Sequence, residues 1–425
     1  MTSSSRPVRW VPSLYFAEGL PYVAAMIVSV IMYKRLGISN ADIAFYTSWL
    51  YLPWVIKPVW SPVVDLLATR RLWIVATQLL IGAGFAAVAL TLPGDAFFRY
   101  SLAAFWLLAF SSATHDIAAD GFYILGLSDH DQAWWVGIRN TFYRVAMLTG
   151  QGLLVMLAGW LETSTGDNAL AWGIVFYLLA GSFLVLAAWH GLVLPRPSAD
   201  TRGAVQSLRD LAAGFLMTFV SFFRKPAIVV VIPFLLLYRF AEAQLVKIAA
   251  PFLLDDRAVG GLGLATEEVG FTYGTVGMLM LTAGGILGGF AAASAGLKRW
   301  LWWMVAAINL PNVVYLFLAW FQPESLLVVN IAVGIEQFGY GVGFTAYTLY
   351  MLYVARGEHS TAHFAICTGF MALGMMLPGM VSGTIQEWLG YQGFFVWILL
   401  ATVPSFLVVA LIPLDPAFGR KDGSD

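Results

Sequence analysis

The sequence predicts an all-α membrane protein of twelve transmembrane helices, arranged as two six-helix bundles joined by one long polar connection. Three observations predict it. Of 425 residues, 60% are hydrophobic and 11% charged, whereas soluble domains are about a quarter charged. Apolar runs of about 20 residues recur along the chain, each long enough to cross a hydrocarbon core of about 30 Å as a helix. The longest polar stretch divides these runs six and six.

The first run follows Arg6 and Arg9, as a signal peptide would. It contains Glu18 and Pro21 and has no clear cleavage site, so it reads as a retained helix over about 10–33. Spans follow at about 42–64, 72–93, 98–127, 133–160 and 169–193. The connection, about 194–225, holds "RPSADTRGAVQSLRDL" and then "AAGFLMTFVSFFRKP", which reads as an amphipathic helix on the membrane surface. The remaining spans are about 226–253, 266–291, 300–320, 325–354, 360–387 and 391–414. The expected organisation is an N-terminal bundle over 1–193, a linker over 194–225 and a C-terminal bundle over 226–425.

Lysine and arginine counts orient the helices. With both termini cytoplasmic, that side carries 14 of the 23 basic residues and the opposite side 4, with the remaining 5 inside spans. Both termini are therefore expected to face the cytoplasm. Two echoes relate the halves: "LYFAEGL" of span 1 to "LYRFAEAQL" of span 7, and "AGWLE" of span 5 to "QEWLG" of span 11. Six plus six parallel repeats with a cytoplasmic linker is the plan of the major facilitator superfamily, in which solute binds near the membrane midplane.

Several function classes are disfavoured. The single cysteine, Cys367, allows no intramolecular disulfide and no thiolate metal set. A net charge of −1 offers nothing to nucleic acid. No GxxxxGK[ST] phosphate loop occurs, so the energy source is expected to be an ion gradient or the solute gradient. An enzyme reading lacks a nucleophile or metal set, and a scaffold reading leaves ten buried charges unexplained. Neither cofactor nor metal is expected. "HSTAH" places His359 and His363 four apart but lacks the glutamate of HExxH, and "GGLGLATEEVG" reads as a turn rather than a phosphate cradle.

The ten buried charges are five acids, Glu18, Asp116, Asp120, Glu242 and Glu336, and five bases, Lys57, Arg139, Arg144, Arg239 and Lys247. A charge at the bilayer centre costs about 2.5–3.5 kcal/mol even on lenient scales, so such groups pair or face a wet cavity. Spans 4 and 5 are antiparallel neighbours joined by "LSDHDQ", which puts residues whose numbers sum to about 260 at equal depth. Asp116 is therefore expected to meet Arg144, and Asp120 to meet Arg139 or Asn140. Structural pairing, proton coupling and direct solute contact are all open for this cluster. His115 reads as a helix-packing residue with a proton relay as the alternative.

In span 7, Arg239 and Glu242 are three apart and can pair within the helix, leaving Lys247 for an anion, for Glu18 or for Glu336. Lys57, Arg239 and Lys247, with Tyr143, Gln151, Gln337 and Tyr340, are the candidate solute-binding residues for an anionic, partly apolar or sugar-containing solute. At the end of span 2, "KPVWSPVVDLLATRR" is similar to a degenerate facilitator loop motif, with Asp65, Arg70 and Arg71 as a cytoplasmic gate latch; ordinary positive-inside anchoring also accounts for the two arginines. "AGGILGGF" supplies Gly284, Gly285, Gly288 and Gly289, and span 10 supplies Gly339 and Gly343, spacings that permit close helix approach.

"KPVWSPVVD" with "RRLWIVATQ", then "SATHDIAADGFY", "FYRVAMLTGQG", "FAEGLP" and "EQFGYGVGFTAYTLYM" resemble segments of AmpG-type muropeptide permeases, in the peptide, acetyl-coenzyme A and drug transporter branch of the major facilitators. The similarity covers most of the chain. It implies a proton-dependent importer of anhydromuropeptides in a bacterial inner membrane, serving cell-wall recycling, with Lys57, Asp65, Asp116, Asp120 and Arg144 at motif positions. The branch also holds siderophore and acetyl-coenzyme A transporters, so a siderophore or another bulky anionic metabolite is the alternative cargo. The expected partners are a small-molecule solute, protons and the lipid bilayer, with the chain acting as a monomer.

Overall fold

The computed structural model describes residues 7–198, 200 and 208–419, with the side chains of 63, 65, 66, 129 and 208–215 outside the described set. All regular structure among these residues is helical. Ten helical stretches are long and apolar enough to cross a membrane. One of them, Ser360–Leu411, runs 52 residues and is broken at Gly390 (φ 66°, ψ 174°), so it makes two passes. A further pass, Asn40–Leu67, is interrupted at Leu50 and Tyr51. With these two the passes among the described residues number twelve.

Two compact units form, one from 1–36 and 56–215, the other from 37–55 and 216–425. In the first, α1 (Val11–Val23) and α2 (Ser29–Arg35) are joined through a widened π turn, Ala24–Val28. Pro21 removes one backbone donor just before this turn, a usual cause of such a break. The second pass begins as α3 (Asn40–Trp49), capped by Ser39, whose side chain accepts from the Asp42 amide. It continues as α4 (Leu52–Leu67) with Pro58 and Pro62 inside. Next come α5 (Arg70–Thr91), α6 (Phe97–Gly126), α7 (Asp129–Leu148), α8 (Val155–Thr165) and α9 (Asn168–Val193). Thr69, Ser128 and Asp167 cap α5, α7 and α9 through their side chains, which is why those helices start where they do. The linker helix is α10 (Leu208–Phe223).

The second unit contains α3, α11 (Ile228–Leu237), α12 (Phe240–Leu254), α13 (Thr266–Val269), α14 (Met278–Ala295), α15 (Leu297–Asn309), α16 (Val313–Phe321), α17 (Leu326–Ala355), α18 (Ser360–Leu400) and α19 (Val403–Leu411). The end of α10 does more than lie on a surface. Phe222 is buried in the core of this unit, and Ser221 Oγ is 2.9 Å from His363 Nε2.

Glycines set the tightest packing. A Cβ at Gly284 of α14 would lie 2.0 Å from the Phe338 carbonyl oxygen, and one at Gly341 of α17 would lie 2.1 Å from that of Leu281. The two backbones thus touch where no side chain intervenes. Gly339 and Gly343 do the same for α17 against Ala307 and Ile308 of α15, whereas Gly289 faces open space.

Candidate functional site: a buried charge cluster

Within the first unit, α1 lies hard against α7 because Gly19 leaves no side chain between them: a Cβ there would be 3.0 Å from both Ala146 Cβ and the Tyr143 carbonyl oxygen. Gly150 admits Val23 in the same way. This approach carries Glu18, next to Gly19, in toward α6. Asp116 and Asp120, one turn apart on α6, meet it there. Each of the three acids offers an oxygen, and these oxygens all lie within 4.8 Å of one another.

Two cations answer them. Lys57 Nζ, from the proline-bearing α4, donates to Asp116 Oδ2. Arg139 of α7 pairs with Asp120 Oδ1 at 2.8 Å, and Tyr15 donates to the same oxygen at 3.2 Å. The Arg139 guanidinium also stacks 4.4 Å from the Tyr15 ring centroid and 5.3 Å from that of Tyr123, a favourable cation–π geometry. Glu18 is 8% exposed, and its Oε2 is buried without a hydrogen-bond partner among the described residues. Among the described residues, three carboxylates therefore face two cations.

The expected Asp116–Arg144 pair does not form. Lys57 holds Asp116, and Arg144 is exposed. Positions 139 and 144 differ by five residues, or about 140° around a helix, so the rotation that brings Arg139 to Asp120 turns Arg144 away. Asn140 is exposed as well and Arg139 alone takes the Asp120 level. Lys57, expected among the solute contacts, and Tyr15, which no sequence pattern marks, both join the cluster. Neither α1 nor α4 is joined to α6 by a short loop, so no register rule reaches them.

His115 is buried with Nε2 at 2.9 Å from Gln78 Nε2. Gln78 Oε1 is 3.0 Å from His190 Nδ1, and His190 Nε2 is 2.9 Å from Ser13 Oγ. This polar chain ties α6, α5, α9 and α1 together.

The second unit holds the other candidates. The intrahelical Arg239–Glu242 pair is replaced by a different contact: Arg239 donates to the Tyr340 hydroxyl and lies 5.0 Å from the Phe344 ring centroid. Arg239 is the N-cap of α12, with φ −110° and ψ 25°, so the helical spacing that would align it with Glu242 begins only after it. Glu336 accepts from Gln337 at 3.0 Å and Tyr315 at 3.4 Å, and both Glu336 Oε1 and Glu242 Oε2 are buried without partners. Lys247 donates to Thr47 Oγ1 at 2.9 Å. In the first unit, Gln151 is buried on a second π turn, Thr149–Leu154, and Tyr143 packs its Cδ2 against Gly19.

Of the gate candidates, Asp65 lies outside the residues whose side chains are described. Arg71 donates to the carbonyls of Gly191 and, at 3.3 Å, Leu194, capping the end of α9. The backbone amides of Arg70 and Arg71 donate to the carboxylate of Asp200, at 2.8 and 3.1 Å. The linker thus supplies an anion to the α5 N-terminus.

Residues 16–187 match the BT1 family. The anhydromuropeptide permease of Escherichia coli (strain K12) is 27% identical over 93% of this chain and 77% of its own length. The putative transporter AmpG 4 of Rickettsia conorii is 24% identical over 93% of this chain and 94% of its own. Among solved structures, a D-xylose–proton symporter superposes with a TM-score of 0.71 at 13% identity, covering 96% of this chain and 97% of that one. A bacterial homologue of the lysosomal transporter Spinster gives 0.69 at 16% identity, covering 96% of both. The chain is a multi-pass membrane transporter of the major facilitator fold, and its resemblance to the AmpG-type permeases extends over nearly its whole length.

Proposed function

We propose that the chain imports anhydromuropeptides into the cytoplasm together with protons, by alternating access, in a bacterial inner membrane and with both termini cytoplasmic. The observation that carries the coupling is the charge count at the cluster. Glu18, Asp116 and Asp120 lie within 4.8 Å of one another while Lys57 and Arg139 are their cations. The Glu18 oxygen that lacks a partner is the buried one. One proton balances this cluster, and without it a net negative charge sits in a low-dielectric region. Protonation thereby biases the equilibrium between conformations that bury and hydrate the cluster to different extents.

The cargo assignment is supported by relatives named as anhydromuropeptide permeases and by the aromatic and basic residues Arg239, Tyr340 and Lys247 in the second unit. The rival reading of the cluster is a permanent salt-bridge lock. Buried pairs alone favour neither, but a lock has no use for a third carboxylate with a bare oxygen.

Uptake of labelled anhydromuropeptide into proteoliposomes, with and without an inward proton gradient, tests both parts. Accumulation above equilibrium only with the gradient is the expected result. Uptake that merely equilibrates and ignores pH would sink the coupling. No uptake, from a preparation competent for a siderophore, would sink the cargo.

A further inference from the structure

Lys247 is 1% exposed and makes no ion pair among the described residues. An ammonium has three donors. Here one neutral oxygen, Thr47 Oγ1 at 2.9 Å, receives one of them, and that oxygen itself donates to the Ile43 carbonyl at 2.7 Å. The Tyr51 ring centroid lies 5.3 Å from Nζ. Next to Thr47 in the chain is an idle hydroxyl: Ser48 is fully buried and its Oγ has no hydrogen-bond partner among the described residues. Both side chains converge on Gly379 of α18, where a Cβ would lie 2.8 Å from Ser48 Oγ and 3.5 Å from Lys247 Cγ.

An uncompensated cation, an unused hydroxyl donor and a glycine whose missing side chain admits that hydroxyl are together the makings of an anion cradle. We propose that Lys247, Thr47 and Ser48 form a site for an anionic oxygen group of the transported solute, a carboxylate or a phosphate. The helix α3 within segment 37–55, which carries both hydroxyls, packs against α12 and α18 and helps to bury Lys247. An anion bound there supplies the charge that Lys247 lacks, so it favours the covered arrangement over one in which Lys247 is hydrated. Solute charge is read at the moment the site closes.

This rests on the transporter reading but not on muropeptides as cargo. The test is thermal unfolding of the full-length protein in detergent, with anhydromuramyl tripeptide as free acid or as its fully amidated form. Wild type should gain several degrees with the acid and little with the amide. Lys247→Gln should lose the gain, Lys247→Arg should keep most of it, and Ser48→Ala, the milder change should Lys247→Gln not fold, should keep about half. Equal gains from acid and amide in wild type would overturn the cradle while leaving the cargo in place. If neither form shifts wild type, the cargo reading fails, and citrate and inorganic phosphate decide the cradle. Stabilisation of wild type but not of Lys247→Gln or Ser48→Ala supports it, and equal behaviour of all proteins overturns it.

Discussion

Lys57 donates to Asp116 across α4 and α6, taking the position that antiparallel register would give to Arg144. The bond joins the two motifs that dominate the sequence, "KPVWSP" and "THDIAAD". An exchange of charge, Lys57→Asp with Asp116→Lys, should recover at least a tenth of wild-type uptake when each single reversal has lost more than tenfold. Failure of the double variant to exceed either single one in a flux assay would show that the pair is not the unit.

Glu18→Gln removes one negative charge and leaves both ion pairs intact. Gradient-driven accumulation should fall more than tenfold while solute exchange persists. A variant that still accumulates solute in response to a pH step would place the coupling elsewhere.

Arg139 carries an ion pair and two aromatic contacts, whereas Arg144 is exposed. Arg139→Gln should therefore cost at least ten times more uptake than Arg144→Gln. Measured rates at matched protein density decide it, and equal losses would contradict the geometry.

Gly341→Ala drives a methyl into the Leu281 carbonyl of α14, at 2.1 Å, while Gly289→Ala meets nothing. Overpacking of this kind costs about 1–3 kcal/mol. Thermal unfolding in detergent should drop by several degrees for Gly341→Ala and stay unchanged for Gly289→Ala.

Asp200→Ala withdraws the carboxylate from the Arg70 and Arg71 amides. Loss of a capping acceptor costs about 1 kcal/mol, which corresponds to roughly fivefold faster hydrogen exchange if the helix end opens locally. Exchange measured by mass spectrometry over residues 68–73 reports it, and unchanged protection would mean that Thr69 suffices.

The span positions were legible because hydrophobic length is a local property. Predicted limits of 98–127 and 169–193 compare with Phe97–Gly126 and Asn168–Val193. The break at Gly390 falls in the gap expected between spans 360–387 and 391–414, whereas the π turn that follows Pro21 lies inside a span expected to be continuous. The Asp120–Arg139 level followed from a short loop, which leaves two helices little freedom of register. Asp116 shows where that rule stops, because a loop fixes depth but not which neighbour a side chain rotates toward.

The sequence by itself determined a membrane protein of two sixfold sets of helices, with acids and bases buried in it, since burying so many apolar residues admits few other solutions. Only the tertiary structure decided the partners. Gly19 and Gly150 let α1 approach α7 closely enough to add Glu18 to two aspartates, and the turn at Arg239 frees that residue for Tyr340. The segment 37–55 brings Thr47 to Lys247, 200 residues away in the chain. Such contacts depend on helix rotation and close approach, and no local pattern in the sequence encodes either.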